Sequence, residues 1–191
     1  PTTFSIGFIP ATTVYYEEGF ATLTGFSVGS KGTKNQSTES VGNKQNNYGY
    51  DDVYKNNGQY VGPSNGTEAT STSYGDKAEF TFTGTGVDIY TNSTTSTGQL
   101  FIQVKNSTGS TVKMVQVKTA LLDGTTNSTA GQEVTGYNVP VASLDLGEKG
   151  TYTVIITHRK PSSEAENDIV NLDGFRVYGI LAGDTDAYVE D

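Results

Sequence analysis

The chain has 191 residues, enough for one domain whose core needs no staples, and with no cysteine it forms neither disulfides nor thiolate metal sites. Its formal charge of −9 lacks the basic footprint that nucleic acid or an anionic membrane surface requires, and no apolar run approaches the length of a membrane-spanning helix. Hydrophobic content is only 34%, but 23 glycines and many Thr, Ser and Asn residues account for the shortfall, and 12 Tyr with 8 Phe supply the apolar area of a folded core.

Two short β-rich runs, residues 4–9 and 13–20, flank Pro10 and predict a first strand that enters a sheet after a proline-marked edge. Residues 29–47 are Gly, Ser, Lys, Asn and Gln with almost nothing to bury, which predicts a surface loop. Tyr48, Tyr50, Tyr54 and Tyr60 then interrupt that polar background. So many rings in a loop either fold back over the sheet edge or meet a ligand.

Residues 76–90 form the centre. Phe80 and Phe82 alternate with Thr81 and Thr83, and after the break at Gly84 and Gly86 Val87 and Ile89 alternate with Asp88 and Tyr90. This period of two predicts two strands, each with one buried face. Further strands are predicted at residues 99–104 and 112–117, joined in hairpin style by residues 106–110. After a loop at residues 120–134, strands at 139–144 and 151–157 flank a turn at 147–150. Residues 158–168 are the most charged loop, and residues 169–178 the closing strand. No apolar stripe keeps the helical period, so the fold class is all-β, an antiparallel β-sandwich of jelly-roll type with its first strand beside its last. The sandwich is expected to span residues 1–182, with 183–191 opening an acidic linker; Pro1 and that tail point to a piece of a longer chain.

Nucleophilic chemistry has little to draw on. The single histidine, His158, has no cysteine to activate, and no Gly-x-Ser-x-Gly elbow occurs. Asp51, Asp52, Glu164, Glu166 and Asp168 are loop carboxylates of the kind a glycosidase pairs, without a motif that pairs them. Glu17 and Glu18 in the first strand and Asp173 in the last are hard oxygen ligands that suit Ca²⁺ if the strands meet. The same residues serve equally as solvated surface charges, with Asp173 capping a turn. Pyranose rings stack their C–H faces on aromatic rings and hydrogen-bond through hydroxyls to planar polar groups. The loop with Tyr48, Tyr50, Asp51 and Tyr54 offers the first kind of group, and the loop with His158, Arg159, Lys160 and Asn167 the second.

Three stretches together resemble a module of large extracellular proteins from gut Gram-positive bacteria. They are residues 14–20 (Val-Tyr-Tyr-Glu-Glu-Gly-Phe), residues 48–51 with 78–90 (Phe-Thr-Gly-Thr-Gly at 82–86), and residues 151–157 with 172–178 (Leu-Asp-Gly-Phe-Arg-Val-Tyr). The family is similar to the galactose-binding-like β-sandwiches, among them carbohydrate-binding modules of families 6 and 35. That resemblance implies a structural Ca²⁺ on Glu17 or Glu18 and Asp173, and a sugar cleft lined by aromatics such as Tyr48 and Tyr50 and by Asn167. The chain departs from the family in having no Trp, the commonest stacking platform. A closer likeness to modules of cell-surface starch-adherence proteins implies an α-1,4-glucan ligand. The expectation is therefore a non-catalytic, extracellular or cell-surface module, monomeric within a longer chain, that binds polysaccharide and neither nucleic acid nor membrane. The other reading is a structural or protein-docking spacer.

Overall fold

The structure is a computed structural model that describes residues 11–30, 33–34, 60–61, 63–93, 98–122, 133–134, 136–160 and 169–181. Within them the chain is almost entirely strand: β1 (Ala11–Glu17), β2 (Thr22–Thr24), β3 (Ser27–Ser30), β4 (Thr33–Lys34), β5 (Tyr60–Val61), β6 (Thr67–Ser71), β7 (Lys77–Ser93), β8 (Gln99–Asn106), β9 (Thr111–Lys118), β10 (Leu121–Leu122), β11 (Glu133–Val134), β12 (Gly136–Arg159) and β13 (Val170–Leu181). Two single 3₁₀ turns, Glu18–Phe20 and Ser64–Gly66, are the only helical residues among those described.

One antiparallel sheet runs β3-β6-β13-β7-β12-β8-β9, with β1 added to β13 and β2 to β7. The two longest strands fold it into a sandwich. The first half of β7 pairs with the second half of β12, and its second half lies between the first half of β12 and β13, pairing with both. Phe80 from one half of the sheet stacks on Phe175 from the other, with ring centroids 4.3 Å apart. Around them lie Val87, Ile89, Leu100, Ile102, Val154, Ile156 and Val177, all buried, which makes this the inter-sheet core.

The expected break at Gly84 to Gly86 and the expected turn at residues 147–150 are corrected: neither ends a strand. β7 is continuous over 17 residues and β12 over 24. Their pairing slips between Asp145↔Gly86 and Gly150↔Gly84, so a bulge in β12 is absorbed opposite a single residue of β7. Glycine is required at this bend. A Cβ on Gly86 would lie 2.7 Å from the Leu144 carbonyl oxygen, and Gly147 has φ of 79°. The alternation also changes there. In the first half of β7 Glu79, Thr81 and Thr83 are exposed, whereas in the second half Asp88, Tyr90 and Asn92 are buried as well as Val87 and Ile89.

The first and last strands are neighbours, with Val14↔Val177 and Tyr16↔Phe175 in register. The hairpin of residues 106–110 joins β8 to β9, where the Asn106 side chain accepts the N–H of Thr108 and of Ser110 and Gly109 takes φ of 83°. The loop predicted from residue 29 is corrected at its start, since Ser27–Ser30 pairs with β6, a strand too polar to show a period of two.

Candidate functional site

Glu17 closes β1 and Glu18 opens the turn that follows, while Asp173 sits at a bulge in β13 between Leu172 and Gly174. The bulge lets Leu172 and Phe175 both face the core and turns Asp173 to the opposite face, toward β1. Gly174 keeps that approach open. A Cβ there would lie 2.6 Å from the Tyr16 carbonyl oxygen. One carboxylate oxygen from each of Glu17, Glu18 and Asp173 then lies within 4.8 Å of the others.

Residues that no sequence pattern singled out complete the cluster. The Ser64 N–H donates to both Asp173 oxygens at 3.0 and 3.2 Å, and the Ser64 hydroxyl donates to Glu17 Oε1 at 2.8 Å. Thr67 donates to Glu18 Oε1 at 2.7 Å. Asn138 donates from Nδ2 to Asp173 Oδ2 at 2.5 Å, and its own N–H is accepted by Asn92, which in turn donates to Glu68 at 2.6 Å. Asn138 holds φ of 52°, a left-handed conformation that asparagine tolerates better than most residues. This positive φ is the one signal that Asn138 carries, and it is visible only in the folded chain.

Electrostatically the cluster is overloaded with negative charge. Glu18, Glu68 and Asp173 are all buried, with Asp173 at 0% exposure. Burial pushes the Asp173 carboxyl well above the usual carboxylate range; hydrogen bonds from Asn138 and Ser64 oppose this, and the neighbouring Glu18 and Glu68 add to it. Burial likewise raises Glu18, opposed by Thr67 and assisted by Glu68. The Tyr15 hydroxyl is held well above its ordinary value by burial and by the charges of Asp173 and Glu17. The oxygen set fits a hard divalent cation: Glu18 Oε2 and Asn138 Oδ1 are buried acceptors without a hydrogen-bond donor, beside three converging carboxylates.

On the same outer face of the sheet, Asp88 is buried under a second group of polar side chains. Its Oδ1 accepts the Ser143 hydroxyl at 2.5 Å and its Oδ2 accepts the Tyr178 hydroxyl. Arg176, whose backbone pairs with Asp88, extends its guanidinium over the Tyr15 ring at 5.3 Å. Thr85, Gly86, Ser143, Leu144, Asp145 and Tyr178 line a cavity of about 280 Å³ at the bend.

Of the expected sugar contacts, Tyr48, Tyr50, Asp51, Tyr54 and Asn167 lie outside the described residues. Arg159 and Lys160 are exposed, and the Arg159 guanidinium lies 5.0 Å over the Phe101 ring. His158 is corrected. It belongs to β12, not to the charged loop, and its ring is buried at 1% exposure. Alternation along β12 explains this, because His158 follows Val154 and Ile156 on the inward face. Its Nδ1 lies 2.8 Å from the Ser71 hydroxyl, which also donates to Asp76 at 2.7 Å. The serine thus bridges acid and imidazole, the wrong order for an activated nucleophile, in which the imidazole stands between.

No family model matches the chain, and no curated protein sequence matches it. Solved structures superpose on it. A two-domain esterase (CEX) active on acetylated mannans, co-crystallised with mannopentaose, superposes with a TM-score of 0.50 at 12% identity, covering 89% of this chain and 37% of that one. A family two carbohydrate esterase from Cellvibrio japonicus gives 0.44 at 13%, covering 90% and 35%. The Agl-KA catalytic domain gives 0.47 at 15%, covering 91% and 28%. The chain therefore spans between 28% and 37% of each. At 12% identity the likeness to the mannan-active esterase is one of fold alone.

Proposed function

We propose that this chain is a non-catalytic carbohydrate-binding module of an extracellular or cell-surface protein, and that it holds its host on an α-glucan such as starch. The observation that carries the reading is the convergence of Glu17 at the end of the first strand, Glu18 in the turn after it and Asp173 in the last strand, the arrangement that the family resemblance implies for a calcium-bearing module. The sandwich of the mannan-active esterase supports it, since that protein was crystallised with an oligosaccharide. In this reading a Ca²⁺ held by the three carboxylates, with Asn138 Oδ1 in reach of the same cluster, neutralises the buried charge and ties β1 to β13. It does no chemistry on the sugar. Rings such as Tyr48 and Tyr50 supply stacking, and Arg159, Lys160 and Asn167 supply hydrogen bonds.

Weak, reversible retention is expected, with Kd from micromolar to millimolar or about −8 to −4 kcal/mol. Native affinity electrophoresis against amylopectin, glycogen, pullulan, xylan and mannan tests this. Retardation by the α-glucans is the expected result. No retardation in any gel sinks the reading and favours a spacer module that docks protein, for which the exposed Val112 and Met114 of edge strand β9 offer a surface.

A further inference from the structure

The cavity at the bend exists because β7 and β12 lose register there, and Gly86 brings the backbone of β7 against that of β12. Its polar wall is set by Asp88, 5% exposed beneath it. Ser143 and Tyr178 each own one hydroxyl proton, and both protons point to Asp88. Each hydroxyl oxygen therefore has only acceptor capacity left. The Tyr178 hydroxyl is raised above its ordinary pKa by burial and by its bond to Asp88, so it keeps that proton. Asp145, whose Oδ1 takes the Gly147 N–H at 2.9 Å, adds a carboxylate at the rim, and the Tyr178 ring adds apolar wall.

The acceptors of Ser143, Tyr178 and Asp145 suit a ligand that donates, and Asp145 with Asp88 repels an anionic one. Arg176, the backbone partner of Asp88 on the neighbouring strand, offsets part of the Asp88 charge. The volume is at the small end for ligand sites, which start at about 300 Å³, and suits one ring. We propose that this cavity is a sugar subsite that takes one neutral pyranose through adjacent hydroxyls donated to Ser143, Tyr178 and Asp145, with the ring against Tyr178. This rests on the carbohydrate-binding reading and locates a subsite apart from the tyrosine-bearing loop.

Amide chemical-shift mapping of the intact chain with maltotriose tests it. The amides of Thr85, Gly86, Ser143, Leu144 and Asp145 should move most, and tri-galacturonate should move none of them. Ser143→Ala and Tyr178→Phe should each weaken maltotriose binding about fivefold, the loss of one hydrogen bond, while Ser143→Thr, which keeps the hydroxyl, restores it. Thermal melts confirm that the variants are folded; Ser143 is exposed, so its truncation leaves the fold intact. If amylopectin retards the wild-type chain but these amides stay still and Ser143→Ala binds normally, the subsite is overturned and the module reading stands. Binding of tri-galacturonate in the cavity overturns the selection for a neutral ring. A wild-type chain that binds no glycan at all sinks both.

Discussion

Asp173 and Asp88 are buried on the same face of the same sheet, yet their surroundings answer the cost of burial in opposite ways. Asp88 is a single carboxylate met by two hydroxyl donors, with Arg176 as its backbone partner on the next strand. Asp173 shares its site with Glu17, Glu18 and Glu68, and donors such as Ser64, Thr67 and Asn138 do not offset the combined charge. One lone buried acid can be satisfied by hydroxyls; several crowded together call for protons or a cation. The first arrangement organises a binding wall, and the second fits an ion.

The largest effect that separates the two is the response to Ca²⁺. In the chelated protein, calcium at about a hundred times its Kd should add about 2.7 kcal/mol, raising Tm by roughly 5–10 °C. Asp173→Asn should abolish the gain, and Tyr178→Phe should leave it intact. A wild-type melt that ignores calcium removes the cation from the proposed function.

The pH response follows. Asp173 and Glu18 have folded-state pKa values above their unfolded ones, so the folded state binds more protons than the unfolded state. Their contribution is fully present below the unfolded carboxylate pKa of about 4 and is lost as pH rises through the folded values. In chelator, Tm should therefore fall as pH rises above the ordinary carboxylate range of about 4, and calcium should flatten that slope because it competes with the protons. A calcium-independent slope, or one of opposite sign, argues against a charge-crowded cluster.

At the other site effects are smaller and indifferent to the ion. Tyr178→Phe removes a donor to a charged acceptor and should cost about 1.5 kcal/mol by urea denaturation. Ser143→Ala, at an exposed position, should cost about 0.5 kcal/mol. Calcium-dependent losses in either variant would mean that the two clusters behave as one network.

Much of the architecture was legible in local pattern. Alternation in residues 78–82, 100–104 and 152–156 announced strands with one buried face, and the folded chain buries Ala78, Phe80, Phe82, Leu100, Ile102, Val104, Tyr152, Val154 and Ile156. The pairing of the first strand with the last was also anticipated. Pattern misled where it changed phase. Gly84 to Gly86 and residues 147–150 read as ends because glycines and a turn composition usually end strands, whereas here they bend two continuous ones. His158 read as a loop residue because its neighbours in sequence are charged, although strand alternation turns it inward.

By itself, then, the sequence determined an all-β chain with its hydrophobic faces marked, and it nominated Glu17, Glu18 and Asp173. Only the tertiary structure decided that these three oxygens meet, that Ser64, Glu68 and Asn138 join them, and that Asp88 aligns two hydroxyls beside a cavity. The reason is physical. Alternation is written in neighbours two residues apart, whereas a polar cluster is assembled by register and bulges between strands distant in the chain, and a single-residue slip in register would scatter it.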